Sequence, residues 1–91
     1  MKVVINKCFG GFGLSDMAAG LYLEALEMEE VLAWEIPRDD HVLVRIVEEL
    51  GKKSWGPYAE LKIVEVPDDV EWIIEDYDGV EWVAEVHETW R

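Results

Sequence analysis

Asp78 and Gly79 stand between two segments of alternating apolar and polar residues, and this dipeptide constrains the fold more than any other feature. Asp-Gly favours a two-residue β-hairpin turn, because both turn positions need positive φ angles. Segments 71–76 and 81–87 are therefore predicted to be antiparallel strands. The turn also predicts which residues face each other across the hairpin: Tyr77 and Val80, Glu75 and Trp82, Ile73 and Ala84, Trp72 and Glu85.

Two stretches upstream have apolar residues at helical spacing. Ser15 is a good N-cap for a helix that runs from about Asp16 to Glu29. Asp39 or Asp40 caps a second helix, which ends before Gly51 because glycine commonly terminates helices. The sequence therefore predicts two helices ahead of the hairpin.

The remaining strands are predicted from β-branched runs. Residues 2–7 and 61–66 indicate strands, and residues 31–36 indicate a short strand or an extended connector that Pro37 ends. This order predicts a single α+β domain over residues 1–91. We expect two layers, with two helices packed on a mainly antiparallel sheet that ends in a β-meander or hairpin.

Composition and charge limit the function. The chain is 51% hydrophobic and 32% charged, and its formal net charge is −13. Such acidity disfavours direct nucleic-acid binding, which needs a basic surface. One cysteine excludes an intrachain disulfide and an all-cysteine zinc site. Apolar runs are too short for a signal peptide core or a membrane span, so a cytoplasmic protein is expected.

The charge is unevenly distributed along the chain. Residues 1–23 carry a net +1, whereas residues 64–91 carry ten acids and Arg91, a net −9. An anionic ligand is therefore tolerated by the N-terminal quarter and repelled by the C-terminal third. This asymmetry makes the N-terminal region the better place for an anion site.

A glycine-rich loop follows the first strand and precedes the first helix, which is the order found in phosphate-binding loops. The dinucleotide and P-loop motifs are absent, and the GxxG of a KH domain is matched without its basic surroundings. The alternative is a tight turn that lets a strand pack on a helix. If the loop binds a ligand, the predicted contact residues are Phe9, Gly10, Gly11, Phe12, Gly13, Ser15, Arg38 and Trp55.

The predicted contacts would make different interactions with the ligand. The glycine amides and Ser15 would bind phosphate, Phe9 and Phe12 would stack on a flat ring, and Arg38 would pair with negative charge. Trp55 and Tyr58 share a loop with glycine and proline, so at least one of them is expected to be exposed and available for binding.

Catalytic and metal sites are weakly indicated. Cys8 lies beside the glycine loop, but a buried structural role suits it better than that of a nucleophile. His87 and Glu85 share a strand face, yet two ligands are too few for a metal site. We therefore predict no catalytic residue, no metal and no cofactor. A hydrolase built on Cys8 or His87 is the weakest of the alternatives.

Two stretches carry a family resemblance. The first is Asn-Lys-Cys-Phe-Gly-Gly-Phe-Gly-Leu-Ser near the N-terminus, and the second includes Glu-Asp-Tyr-Asp-Gly-Val-Glu-Trp-Val-Ala-Glu from Glu75. With Arg38-Asp39-Asp40 between them, the chain resembles a family of small, uncharacterised phage and prophage proteins. Small phage proteins of this kind often act against host defences.

The resemblance leads to two hypotheses of different classes. The first is a homo-oligomeric, non-enzymatic protein that sequesters a small anionic or nucleotide-like ligand through the glycine loop. The second is an acidic protein–protein inhibitor, or DNA mimic, that acts on a basic host protein through its acidic C-terminal hairpin. Changes in the glycine loop should impair function under the first hypothesis, and changes in the hairpin charge should impair it under the second.

Overall fold

The computed structural model describes residues 1–86 and contains two helices and four strands in this range. Strand β1 (Lys2–Asn6) pairs antiparallel with β2 (Leu61–Glu65), and β3 (Trp72–Tyr77) pairs antiparallel with β4 (Val80–Glu85). The α+β class and the C-terminal hairpin are confirmed. The predicted extension of the last strand to His87 lies outside the described residues.

The two helices are α1 (Asp16–Leu26) and α2 (His41–Leu50). Short 3-10 turns follow, at Ala33–Glu35 and Gly51–Ser54. The short strand considered for residues 31–36 is wrong, because Ala33–Glu35 is a 3-10 turn, with the extended residues Leu32 and Ile36 on either side of it. Pro37 comes next, and the residue before a proline favours extended geometry.

The side chains of β1 alternate between two apolar clusters. Val4 packs with Tyr22, Leu43 and Leu61 in the cluster that includes both helices. On the opposite face, Val3 and Ile5 form a second cluster with Val66. Three hairpin residues pack against this cluster: Trp72, Ile74 and Val83. Strand β1 therefore lies between the helices and the hairpin. The hairpin packs on this central strand, while β2 pairs with β1 rather than with β3.

The helix caps fit the sequence prediction. The Ser15 Oγ accepts a hydrogen bond of 3.1 Å from the Ala18 amide. The Asp40 carboxylate accepts bonds of 2.9 and 3.1 Å from the Val42 and Leu43 amides. The same carboxylate accepts a 3.0 Å bond from the Tyr22 hydroxyl. Asp40 therefore caps α2 and links it to α1.

The Tyr22–Asp40 contact predicts how stability depends on pH. Burial, together with the hydrogen bond to Asp40, raises the pKa of Tyr22 to about 12, against about 10 for a free tyrosine. Between these values the unfolded chain loses the phenol proton and the folded chain keeps it. Stability is therefore expected to fall as the pH rises from about 10 to about 12.

Tyr22→Phe tests this expectation. The fall in the free energy of unfolding over this pH range is expected to become shallower, as measured by urea unfolding at successive pH values. Tyr58→Phe is the matched control, because the Tyr58 side chain is exposed. An equally steep fall in the wild type and in Tyr22→Phe would contradict the assignment.

Candidate functional site

The glycine-rich loop packs along the segment that follows α2. The Gly56 amide donates a 3.1 Å hydrogen bond to the Gly13 carbonyl, and the Ser15 amide donates a 2.9 Å bond to the Ser54 carbonyl. A Cβ at Gly10 would lie 2.1 Å from the carbonyl oxygen of Tyr58. The backbones therefore approach so closely that residue 10 has no room for a side chain.

The hairpin turn closes on the same loop from another side. Gly79 has a φ of +93°, and a Cβ there would lie 2.7 Å from both the Phe9 carbonyl oxygen and the Gly11 amide nitrogen. The buried Asn6 side chain donates 2.7 Å hydrogen bonds to the carbonyls of Gly79 and Cys8. We call this meeting of three chain segments the glycine junction, formed by Gly10, Gly11, Gly13, Gly56 and Gly79.

Arg38 is held by the hairpin. Its Nη2 lies 2.8 Å from the Glu81 Oε2, and its Nε donates a 3.2 Å hydrogen bond to the Glu81 Oε1. The Nη1 donates to the carbonyls of Ile36 and Trp34 at 2.8 and 3.3 Å. The Arg38 and Glu81 side chains are only 12% and 7% exposed. The guanidinium therefore neutralises a buried carboxylate within the protein.

Phe12 lies under the same guanidinium. The centre of the Arg38 guanidinium is 3.7 Å from the centroid of the Phe12 ring, and the ring is buried in the helical cluster. This stacking stabilises a desolvated arginine through the negative face of the aromatic ring. The structure thus brings two predicted ligand contacts together, but it uses both of them for internal packing.

The other predicted contacts have mixed surroundings. Phe9 is 67% exposed, and among the described residues no heavy atom would lie within 4 Å of a Cβ at Gly11. The Ser15 hydroxyl caps α1 and donates a 2.6 Å bond to the Lys53 carbonyl. Trp55 is half-buried against the helical cluster. Phe9 is therefore the predicted side chain most open to an approaching ligand, and Gly11 has open space on the side where a Cβ would lie.

Of the residues considered for catalysis or metal binding, Cys8 and Glu85 lie within residues 1–86. Cys8 is half-buried, and its amide donates a 3.3 Å bond to the Asn6 side chain. In the described part of the chain, no group of three or more His, Cys, Asp and Glu residues is arranged to hold a metal ion. The His87 part of the metal hypothesis lies outside the described residues.

One side of the hairpin faces solvent. Ile73, Tyr77 and Trp82 are exposed there, and the Trp82 Nε1 donates a 3.1 Å hydrogen bond to the Glu75 carboxylate. The exposed acids Asp76 and Asp78 lie at the turn end of the same hairpin. Asp76 pairs with Glu81 across the hairpin, so its side chain leaves from the opposite face. We call the other five residues, Ile73, Glu75, Tyr77, Asp78 and Trp82, the hairpin outer face.

Two further aromatic residues lie in the loops that meet at the glycine junction. Phe9 and Tyr58 each contribute backbone to the glycine junction, which joins their loops to the hairpin turn. Tyr58 is 74% exposed and Tyr77 is 72% exposed. Of the pair that the sequence singled out in one loop, Tyr58 is the exposed residue and Trp55 is the packed one. Exposed rings on a fixed backbone are a frequent feature of protein-binding surfaces.

Sequence reasoning missed Asn6 and Glu81 as organising residues. Both are buried, and the Asn6 backbone amide donates a 3.1 Å hydrogen bond to the Glu81 carboxylate. One signal was present in the hairpin pattern. Glu81 shares a strand face with the inward-pointing Val83, and a carboxylate on an apolar face needs a partner.

No protein-family model matches the chain, and neither curated proteins nor solved structures give a match. The resemblance to phage and prophage proteins therefore stays a prediction. Among the helices of residues 1–86, none has the length and apolar character needed to cross a membrane.

Proposed function

We propose that this protein is a non-enzymatic, acidic protein-binding module whose hairpin outer face covers a basic surface of another protein. The observation that carries the proposal is the combination of exposed rings and carboxylates on one hairpin. Tyr77 and Trp82 lie beside Glu75 and Asp78, and no lysine or arginine occurs between residues 63 and 86.

This combination favours arginine in the partner. A guanidinium can stack on an aromatic ring while its N–H groups donate to carboxylates, and this face offers both rings and carboxylates. The internal Arg38 site shows the same pairing, with the Phe12 ring on one side and the Glu81 carboxylate beside it. Long-range attraction from the acidic C-terminal third would also speed association with a basic partner.

The anion-binding hypothesis has less support. The Arg38 guanidinium and the Phe12 ring, which would have bound charge and a flat ring, interact with each other and with Glu81. The glycines at 10 and 13 accommodate neighbouring backbone. Phe9 and Gly11 remain open, so sequestration of a nucleotide-like ligand stays a prediction. An anti-defence role in a phage context is likewise a prediction that either binding mode would serve.

Isothermal titration calorimetry with a twelve-residue peptide of alternating arginine and glycine tests the proposal. We expect binding whose Kd rises by about tenfold or more between 50 and 500 mM NaCl, because salt screens exposed charges. The double variant Glu75→Gln, Asp78→Asn is expected to weaken binding by a further factor of about ten at low salt.

The matched control removes the same number of charges elsewhere. Glu35 and Glu49 are exposed and lie on the connector before Pro37 and on α2, and the double variant Glu35→Gln, Glu49→Gln is the control. We expect this control to change Kd by less than about threefold, since its charges lie outside the contact. Equal weakening by both double variants would show that only net charge matters and would contradict a specific face. Sub-millimolar binding of a cyclic nucleotide that is lost in Gly11→Val would favour the anion hypothesis instead.

A further inference from the structure

Helix α1 is apolar on the side that faces solvent as well as on the side that faces the core. Of its eleven residues only Asp16 and Glu24 are charged, and Ala18 and Tyr22 are buried. Six large apolar side chains between residues 17 and 34 are 39% to 63% exposed: Met17, Leu21, Leu26, Met28, Leu32 and Trp34. A helix that is apolar all round is normally covered on all sides.

The exposed residues of α1 form a continuous stripe. Met17 and Leu21 are four residues apart and therefore share one side of the helix. Met28 is exposed just after the left-handed Glu27 that ends the helix. Beside Leu21, a groove of about 290 Å³ runs between α1 and α2, and its apolar walls include Ala25, Val42 and Ile46. A methionine or leucine side chain is of the right size and polarity for such a groove.

Opposite charges lie at the two ends of this stripe. At the N-terminal end of α1, the Ser15 hydroxyl and amide donate hydrogen bonds to the carbonyls of Lys53 and Ser54. The exposed Lys52 and Lys53 therefore lie near this end, where their two positive charges exceed the single negative charge of Asp16. At the C-terminal end, the exposed glutamates lie close together in the chain: Glu24, Glu27, Glu29 and Glu30. Such a face is complementary in charge to the same face of a second copy packed in antiparallel orientation.

Gly20 adds an independent indication. It lies in the middle of α1, where glycine is less favourable than almost any other residue. Among the described residues, no heavy atom lies within 4 Å of the position that a Cβ would occupy there. Contacts within one subunit therefore do not require glycine at this position, whereas the close approach of a second helix would.

We propose that the outer face of α1 is the interface with a second copy of this chain, in which the two α1 helices pack antiparallel across a two-fold axis near Leu21. This arrangement places residue 15 of one subunit opposite residue 27 of the other. Lys52 and Lys53 then lie near Glu27 of the partner subunit, and the same contact repeats on the other side of the axis. The proposal is independent of the hairpin function, since it uses a different face.

Sedimentation equilibrium in 0.15 M NaCl tests the interface. The wild type is expected to form a dimer within the range of about 1 to 200 µM. Leu21→Glu is expected to raise the dimer Kd by about tenfold or more, because the two substituted side chains would meet at the axis. Tyr77→Ser on the hairpin outer face is the control and should leave the dimer Kd unchanged.

A charge exchange separates a specific interface from a folding defect. Lys52→Glu with Lys53→Glu should weaken self-association, and so should Glu24→Lys with Glu27→Lys in a second chain. An equimolar mixture of the two chains should restore the dimer, because each end then meets its opposite charge. A wild type that stays monomeric throughout the concentration range would overturn the proposal. So would a mixture that remains monomeric, or a dimer that resists Leu21→Glu.

Discussion

Arg38→Ala is expected to lower the free energy of unfolding by about 3–5 kcal/mol, because it would leave the buried Glu81 carboxylate without its cation. Glu81 would keep the hydrogen bond from the Asn6 backbone amide but lose both bonds from the Arg38 guanidinium. The ring of Phe12 would also lose the contact above it. A loss of this size is a large fraction of the stability of a small domain. Urea unfolding at pH 7 measures it.

Two further variants test whether the loss of stability in Arg38→Ala comes from an unpaired charge. Arg45→Ala removes an exposed arginine from α2 and is expected to change stability by less than about 0.5 kcal/mol. The double variant Arg38→Met, Glu81→Leu removes both buried charges, and is expected to recover most of the stability lost in Arg38→Ala. If Arg38→Ala costs no more than Arg45→Ala, the pair is not an organising contact.

The elements that the sequence predicted well depend on local chemistry. The Asp78–Gly79 turn fixes the hairpin register, and the observed pairing of Glu75 with Trp82 is the predicted one. Ser15 and Asp40 cap the helices because their side chains reach amides only two or three residues ahead. In such cases the interacting groups are neighbours in the chain, so the pattern alone is informative.

Contacts between distant residues could not be predicted in this way. Arg38 and Glu81 are 43 residues apart, and nothing in either neighbourhood specifies the other. The pairing of β1 with β2 likewise joins the two ends of a long connection, so β2 leaves the expected meander. Long-range pairs depend on how whole layers pack, which short patterns do not encode.

The glycine loop shows why a motif with two uses stays ambiguous. Gly-rich loops before helices occur where a phosphate or another backbone must come close, and the sequence is the same in both cases. Here the hairpin turn supplies a close backbone neighbour, since a Cβ at Gly79 would lie 2.7 Å from the Phe9 carbonyl oxygen and the Gly11 amide nitrogen. That contact brings together segments about seventy residues apart in the chain. That the loop also binds an anion stays a prediction.

Gly10→Ala is expected to destabilise the protein by about 3 kcal/mol, because the new methyl group would lie 2.1 Å from the Tyr58 carbonyl oxygen. The obstacle is backbone, so it cannot move aside as a flexible side chain would. Gly11→Ala is the matched control next to it. Gly11 has a φ of +92° but open space around it, so only strain of about 1–2 kcal/mol is expected.

The difference between these neighbours also bears on function. If no backbone lay close to Gly10, as in an open phosphate-binding loop, Gly10→Ala should cost no more than the strain expected in Gly11→Ala. A packing junction loses more stability at Gly10 than at Gly11, because only a Cβ at Gly10 would meet the backbone of another segment. Thermal unfolding of both variants distinguishes the two cases. Equal stability of Gly10→Ala and Gly11→Ala would reopen the loop as an anion site, whereas selective loss in Gly10→Ala leaves the hairpin outer face as the stronger candidate.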